Sequence, residues 1–258
     1  MTQEELTKAL REAVIFGNAE EVGALVKKGA KVDAADRRGW RPLHLAIRNG
    51  HKLVAELLIA RGAHVDAFTD GGFQPLHYAA MYGCGFVAEL LIAKGAKVDA
   101  ADEAGQQPLH HAAGDGQEFV AELLIAKGAK IDAADKFGWR PLHLAVQAGG
   151  RDIVGFLVAK GAQIDAANKW GDQPLHRAAK AGHGEVVKIL LEHDANPHAL
   201  NDDGKTPRAL CGDEKIKVLL EKAEKEWKDP GERKLEDLAA LRARHRKLGA
   251  LRPKGPSL

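Results

Sequence analysis

The sequence predicts an all-α repeat solenoid, a stack of helix-turn-helix units joined by β-hairpin-like loops and closed by a capping unit at each end. Three periodic observations predict it. Pro-Leu-His begins at Pro42, Pro75, Pro108, Pro141 and Pro174, a constant step of 33 residues, and Pro207 keeps the step. A glycine three residues earlier recurs in phase, at Gly39, Gly72, Gly105, Gly138, Gly171 and Gly204. A Gly-Ala pair recurs at 29, 62, 95, 128 and 161. A fixed period of this kind marks stacked units that bury their apolar faces against one another.

Residues 1–35 share the register without Pro-Leu-His: Ala13 aligns with Ala46 and Gly17 with Gly50. Glu4, Glu5, Lys8 and Glu12 suit a face open to water, so this segment reads as the N-terminal capping unit. Five full units follow, at 36–68, 69–101, 102–134, 135–167 and 168–200. In the first, Asp36 to Gly39 suits a type I turn, with Asp first and Gly last. Asp102, Asp135, Asn168 and Asn201 open later turns in the same way. Pro42 falls in the first turn of a helix, where its missing N–H costs nothing. Leu43, Ala46 and Ile47 give that helix a short apolar stripe, and Gly50 ends it. Val54, Leu57 and Leu58 form the stripe of a second helix. Gly62-Ala63 closes that helix, and Val65-Asp66-Ala67 extends to the next turn.

Residues 201–227 begin as another unit, but Leu219-Leu220 arrive three residues early, which predicts a shortened C-terminal cap. Residues 228–258 leave the pattern. Pro230-Gly231 breaks the chain, and Leu235, Leu238, Leu241 and Leu248 follow at roughly helical spacing. This stretch carries a net charge of +5 in a chain of net charge +2. It reads as a basic C-terminal helix and tail, either folded on the last unit or docking separately. Pro253 to Leu258 is expected to be disordered.

Asp36 to Gly50 resembles the ankyrin-repeat motif D-x-x-G-x-T-P-L-H-x-A-A-x-x-G, and Val87-Ala88-Glu89-Leu90-Leu91 with Gly95-Ala96 resembles its second-helix motif. The likeness covers residues 1 to 222. One departure is systematic. The family's threonine before proline is replaced by Arg41, Gln74, Gln107, Arg140 and Gln173, and only Thr206 keeps it. Losing such a helix cap costs about 0.5–2 kcal/mol, so stability should lean on packing between units. The resemblance implies that His44, His77, His110, His143 and His176 tie neighbouring turns together by hydrogen bonds.

Catalysis is not expected. Those histidines are spread one per unit instead of converging on a point. His110 and His111 are adjacent, so they point apart on a helix, and zinc needs more ligands than that pair. Gly83-Cys84-Gly85-Phe86-Val87-Ala88 matches a loose dinucleotide fingerprint but lies between two helices, without the strand that motif requires. Ser257 is the only serine. Cys84 falls near a helix start, which can lower a thiol pKa, but no base accompanies it in sequence. No cofactor, metal or small-molecule substrate is expected. No apolar stretch approaches a membrane span, and the N-terminus lacks a signal-peptide core. Cys84 and Cys211 are too far apart in the array to pair, so a reducing, cytoplasmic setting is expected, with delivery into another cell left open.

Removing the positions that hold the frame leaves the turn tips and the open side of the first helix. By resemblance, these are the positions with which ankyrin proteins hold partners. The residues there read Arg37, Arg38, Trp40 and Arg48 in the first unit. Phe68, Phe73, Tyr78, Met81 and Tyr82 come from the second, Lys136, Phe137 and Trp139 from the fourth, and Lys169, Trp170 and Arg177 from the fifth. Eight of the chain's 13 aromatic residues fall in this set, at positions off the apolar stripes. Trp, Tyr and Arg dominate protein interfaces. The expected function is therefore protein binding, by a monomer, through one concave aromatic and basic face. The partner would be mostly apolar with some acidic groups, and two hot spots would flank a more polar third unit.

Two other readings stay open. One is nucleic-acid binding through base stacking and the basic tail, disfavoured by the small net charge and by Asp70, Glu103, Asp115 and Asp172 on the same face. The other is an amplified or designed scaffold without a fixed partner, suggested by the identity of Phe86–Lys97 with Phe119–Lys130.

Overall fold

The computed structural model describes residues 1–228. The expected C-terminal helix and tail lie outside them, apart from Lys228. An N-terminal pair, α1 (Gln3–Ile15) and α2 (Ala19–Lys27), starts the array. Five first helices follow: α3 (Pro42–Arg48), α5 (Pro75–Met81), α7 (Pro108–Gly114), α9 (Pro141–Ala148) and α11 (Pro174–Ala181). Each precedes a second helix: α4 (Lys52–Ala60), α6 (Gly85–Ala93), α8 (Glu118–Ala126), α10 (Arg151–Ala159) and α12 (Gly184–Glu192). The short α13 (Pro207–Leu210) and the longer α14 (Glu214–Glu226) end the described array.

Helices of seven to nine residues are too short to persist alone, so they form because they pack. Each unit contributes one layer to a continuous core: Leu43, Ala46, Ile47, Val54, Ala55 and Leu58 in the first, with equivalents at each 33-residue step. Leu57 is only half-buried, and Ala55 and Ile59 take its expected place in the stripe. Glu4, Glu5, Lys8 and Glu12 of α1 are exposed. First helices of neighbouring units pack more closely than second helices do. They meet through side chains as small as Ala46, Ala79, Ala112, Ala145 and Ala178, all fully buried. A stack that is tighter on one side bends towards it, so the first helices and turn tips form the inner, concave face.

Polar ties fix the register between layers. Where the turn opens with Asp or Asn, that side chain folds it: Asp36 Oδ1 accepts from the Arg38 and Trp40 N–H groups at 2.9 Å each. Asp102, Asp135, Asn168 and Asn201 do the same in their own turns. Adjacent tips are then joined by one backbone hydrogen bond each, such as Lys136 N–H to Ala104 O and Lys169 N–H to Phe137 O at 3.0 Å. This single rung is the β-like feature of the loops, and no strand occurs among the described residues. The turn glycine is required twice over. Gly105 has φ of +83°, and a Cβ there would lie 2.9 Å from Lys136 N.

The five motif histidines make the second tie. His110 Nδ1 accepts from Gln107 N–H at 3.1 Å, so Nε2 carries the proton and donates to Trp139 O of the next unit at 3.2 Å. His77, His143 and His176 repeat this with the Gln106, Asp172 and Lys205 carbonyls, while His44 bonds Ala67 O at the end of its own unit. Bonding of this kind needs the neutral ring, and burial enforces it. His44, His77 and His143 are held down to about 4, and His110 and His176 are pushed down as well. A third tie runs from Asp33, Asp132 and Asp165 to the His64, Gln163 and Asn196 N–H groups of the following unit.

Each motif histidine also caps its own helix, because its Nδ1 satisfies the N–H of the residue before proline. This bond does not replace a threonine hydroxyl, which would accept from the N–H three residues on; at Gln74 and Gln107 that N–H turns to the backbone carbonyl of the same residue. Among the residues before proline in the described array, only Thr206 caps through its hydroxyl, which accepts from Ala209 N–H. Arg41 and Arg140 instead reach back into loops, to Asp33 O at 3.0 Å and Gln163 Oε1 at 2.8 Å.

Candidate interaction surface

The inner face is built from three registers. The turn tips stand furthest out. Arg37, Arg38, Lys136, Phe137, Lys169 and Trp170 are all exposed there, and Phe68 just before its tip is 68% exposed. Behind the tips runs a wall of residues that precede the helix: Trp40, Phe73, Gln106, Trp139 and Asp172. The open side of the first helix adds exposed Arg48 and Tyr82 and half-buried Met81.

Aromatic rings on this face touch across units. Trp40 lies 4.8 Å from Tyr78, Tyr78 lies 5.5 Å from Phe73, and Phe73 lies 5.3 Å from His111, centroid to centroid. Tyr82 stacks parallel to Tyr78 at 6.5 Å, and the Arg48 guanidinium sits 5.2 Å from the Trp40 ring. A second group occupies the far end. Phe137 and Trp170 stack at 6.2 Å, Arg177 lies 4.7 Å from the Trp139 ring, and Lys169 reaches 6.0 Å from Phe137. These two groups contain all fifteen predicted site residues except Arg37, Arg38, Phe68, Met81 and Lys136, which border them.

Not every ring is free. Tyr78 is 7% exposed and belongs to the core, which corrects its reading as a contact residue. It occupies the register of Leu45, His111, Leu144 and Arg177, roofed by the wall of its own and the preceding unit. Its hydroxyl is held by Thr69, and burial pushes its pKa up. Trp40, Phe73 and Trp139 are half-buried and pack partly as frame. Arg177 is half-buried and occupied: it stacks on Trp139, donates to Gln147 Oε1 at 2.8 Å, and approaches Asp172 Oδ2 at 3.5 Å. Asp172 is itself buried and also accepts from Asn201 at 2.8 Å. It therefore serves the frame and does not act as a free surface charge.

His111, which the sequence places on the open side of the third unit, is instead buried and contacts the Asp102 carboxylate at 3.0 Å, beneath the polar middle of the face. Other groups escaped sequence reasoning. On the outer helices, Leu53, Phe86 and Phe119 fall in one register and are 67%, 48% and 69% exposed. Their common 33-residue spacing was the available signal. Lys52 covers Phe86 at 3.6 Å, and the Phe119 ring fills the space over Gly85.

The chemistry present is recognition chemistry. Cys84 opens α6, but burial pushes its thiol pKa up, the reverse of an activated nucleophile. Gly83 to Ala88 follows α5, a helix, so the dinucleotide fingerprint lacks its strand. Among the described residues there is no cluster of three metal-binding side chains and no helix long and apolar enough to cross a membrane.

Comparison with known families agrees with this architecture. A family profile described as "Ankyrin repeats (3 copies)" matches residues 10–102 and 76–168, and a second, "Ankyrin repeats (many copies)", matches 157–211. The chain belongs to the ankyrin-repeat family. Ankyrin repeats are generally protein–protein interaction modules rather than catalysts. This ankyrin array is similar to the crystal structure of the human ASB11 ankyrin repeat domain, with a TM-score of 0.77 and 30% identity over 83% of this chain and 97% of that one. It is 48% identical over 50 residues to human protein phosphatase 1 regulatory subunit 27, covering 19% of this chain and 32% of that protein. It is 50% identical over 44 residues to the Notch-regulated ankyrin repeat-containing protein A of Danio rerio, covering 17% and 39% respectively. The chain thus spans only about a third of the length of these two relatives.

Proposed function

We propose that this ankyrin array is a non-catalytic module that grips a partner protein on its concave face, through the exposed rings and cations of the tips and first helices. One observation carries the reading. Phe68, Tyr82, Phe137 and Trp170 are 68%, 44%, 47% and 52% exposed on one face, outside the buried core. Contiguous exposed apolar groups usually mark contact surfaces, and such rings supply most of the energy at interfaces. The regulatory role in the name of the phosphatase subunit is in keeping with a binding task. We assign the chain to the cytoplasm as a monomer, which cell fractionation and sedimentation would test.

The test is affinity capture from lysate of the source cells. The matched bait carries Phe68→Ala, Tyr82→Ala, Phe137→Ala and Trp170→Ala, which truncate exposed rings without opening the core. A protein held by the parent and lost by this bait supports the concave face, as does hydrogen-exchange protection of the first helices in the recovered complex. Retention by this bait with loss on a Leu53→Ser, Phe86→Ser, Phe119→Ser bait would move the interface to the outer helices and overturn the reading.

A further inference from the structure

The first helices carry Arg48, Met81, Gln147 and Lys180 at one register of the inner face, and Gly114 at the same register of the third unit. The missing side chain leaves a notch of about 380 Å³ midway between the two aromatic groups. Leu144 and Ala148 of the next unit form one side, and Gln106 and Asp115 border it. No lysine or arginine lines it.

The polar groups there are mostly unengaged acceptors. Gln106 Nε2 donates to Asp135 Oδ2 at 3.1 Å, which leaves its carbonyl oxygen uncommitted. Asp115 is exposed at the rim and makes no ion pair among the described residues; partial burial pushes its carboxyl up, opposed by the His111 ring. A cation seated in the notch therefore meets a carboxylate free to pair with it. The notch is already built, because His111 beneath it is fixed by Asp102. Nearby tips add Asp70 and Glu103, both exposed, with Arg37 and Arg38 before them, Lys136 and Lys169 after them, and exposed Asp202 and Asp203 on the last tip. Charge thus alternates along the tips, and the stretch beside the notch is anionic.

We infer that the Gly114 notch is a subsite for one basic side chain of the partner, an arginine or lysine seated against Asp115 and Gln106. This rests on the concave-face reading and adds to it one basic group in the partner, placed opposite the third unit. A uniformly acidic or apolar segment would leave Asp115 desolvated and unpaired, which is unfavourable. Arginine suits the notch through its several donors, since two acceptors stand on different elements.

The test uses the whole chain and small probes. Acetyl-arginine-amide and acetyl-lysine-amide are titrated into the isotope-labelled protein, with neutral acetyl-citrulline-amide as control. The expected result is saturating NMR shifts centred on His111, Gly114 and Asp115 for the basic probes, absent with citrulline. Gly114→Gln should abolish them. That variant restores the side chain found at Gln147, and a Cβ there meets only Leu144 Cβ at 3.6 Å, so it folds. Equal shifts from citrulline, shifts centred elsewhere, or shifts that survive Gly114→Gln overturn the inference. Peptides selected by display on the parent separate this from the broader reading. Sequences that need Phe137 and Trp170 yet show no basic preference and ignore Gly114→Gln would end the subsite and keep the concave face. Sequences indifferent to both would end the concave-face reading itself.

Discussion

Acidification should unravel this array through its motif histidines, well before its carboxylates are titrated. His44, His77 and His143 are buried as neutral rings with pKa values near 4, against an ordinary value of 6.5. As pH falls, the unfolded chain takes up these protons first, so stability from the three sites is full above 6.5 and lost between 6.5 and about 4. Moving from pH 7 to pH 5 then costs about 2 kcal/mol at each site, on the order of 5–6 kcal/mol together, comparable with the whole stability of many domains. His110 and His176, also pushed down, add to the loss. Asp115 and Asp165 are pushed up and act in the opposite sense. Urea unfolding followed by circular dichroism at pH 7 and pH 5 reads the sum. A His143→Asn variant isolates one site: it is weaker at pH 7, yet should lose about 2 kcal/mol less than the parent on going to pH 5. Equal midpoints at the two pH values, or equal losses in parent and variant, would refute neutral buried histidines as the origin.

Gly105→Ala should destabilise the array by on the order of 1–3 kcal/mol, since it strains a left-handed residue and crowds Lys136 N; an unchanged urea midpoint contradicts the close approach. Asp102→Ala strips two turn N–H groups and His111 of their acceptor and should cost about 1–3 kcal/mol, whereas Asp102→Asn keeps the turn, as Asn168 does in its own unit. Trp170→Ala should shift thermal stability within about 0.5 kcal/mol while weakening partner binding, and Trp40→Ala should lower both, because Trp40 also packs on Tyr78. Alkylation of Cys84 should reach half its maximal rate above the ordinary thiol range, since burial raises its pKa; a midpoint at or below pH 8 would show an activated thiol instead.

The fold was legible because its determinants repeat. Six turn glycines and five Pro-Leu-His motifs report the same local geometry again and again, so a signal too weak in one unit becomes decisive across five. The helix caps were legible only in part. The absence of threonine is plain from Arg41 and Gln74, but the histidine three residues on, which the resemblance presents as an inter-turn tie, also takes the N–H before proline, and only the geometry shows that second bond. The face was legible as a set of registers, and misread where one register changes depth. Leu45 and Leu144 share their register with Tyr78, and two leucines there were a sign that the position lies under the wall. Asp172 looked like a free charge because nothing in its neighbours predicts the Arg177 and Asn201 contacts that occupy it.

The separation of frame from face also explains why this array can vary its surface so widely. Backbone groups at the tips are satisfied by backbone, by the first turn residue, or by the histidine of the preceding unit. Of the side chains at 37 and 38 and their equivalents 33 residues on, Lys136 adds one bond to these, to Glu103 O at 2.7 Å, and the rungs themselves need none of them. Those positions therefore change from Arg-Arg through Asp-Gly and Glu-Ala to Lys-Phe and Lys-Trp while the rung between tips stays at about 3.0 Å. The wall register is less free, because its carbonyls at Gln106, Trp139 and Asp172 accept a histidine proton and its side chains roof the core. It still tolerates Trp, Phe, Gln and Asp, each half-buried or deeper. Specificity on this face should accordingly lie in the tips and in the helix register that holds Arg48, Met81, Gly114, Gln147 and Lys180. Exchanging the tip pairs 37–38 and 136–137 between units should leave urea stability nearly unchanged and redirect binding. A large stability loss from that exchange would show that the tips carry the frame after all.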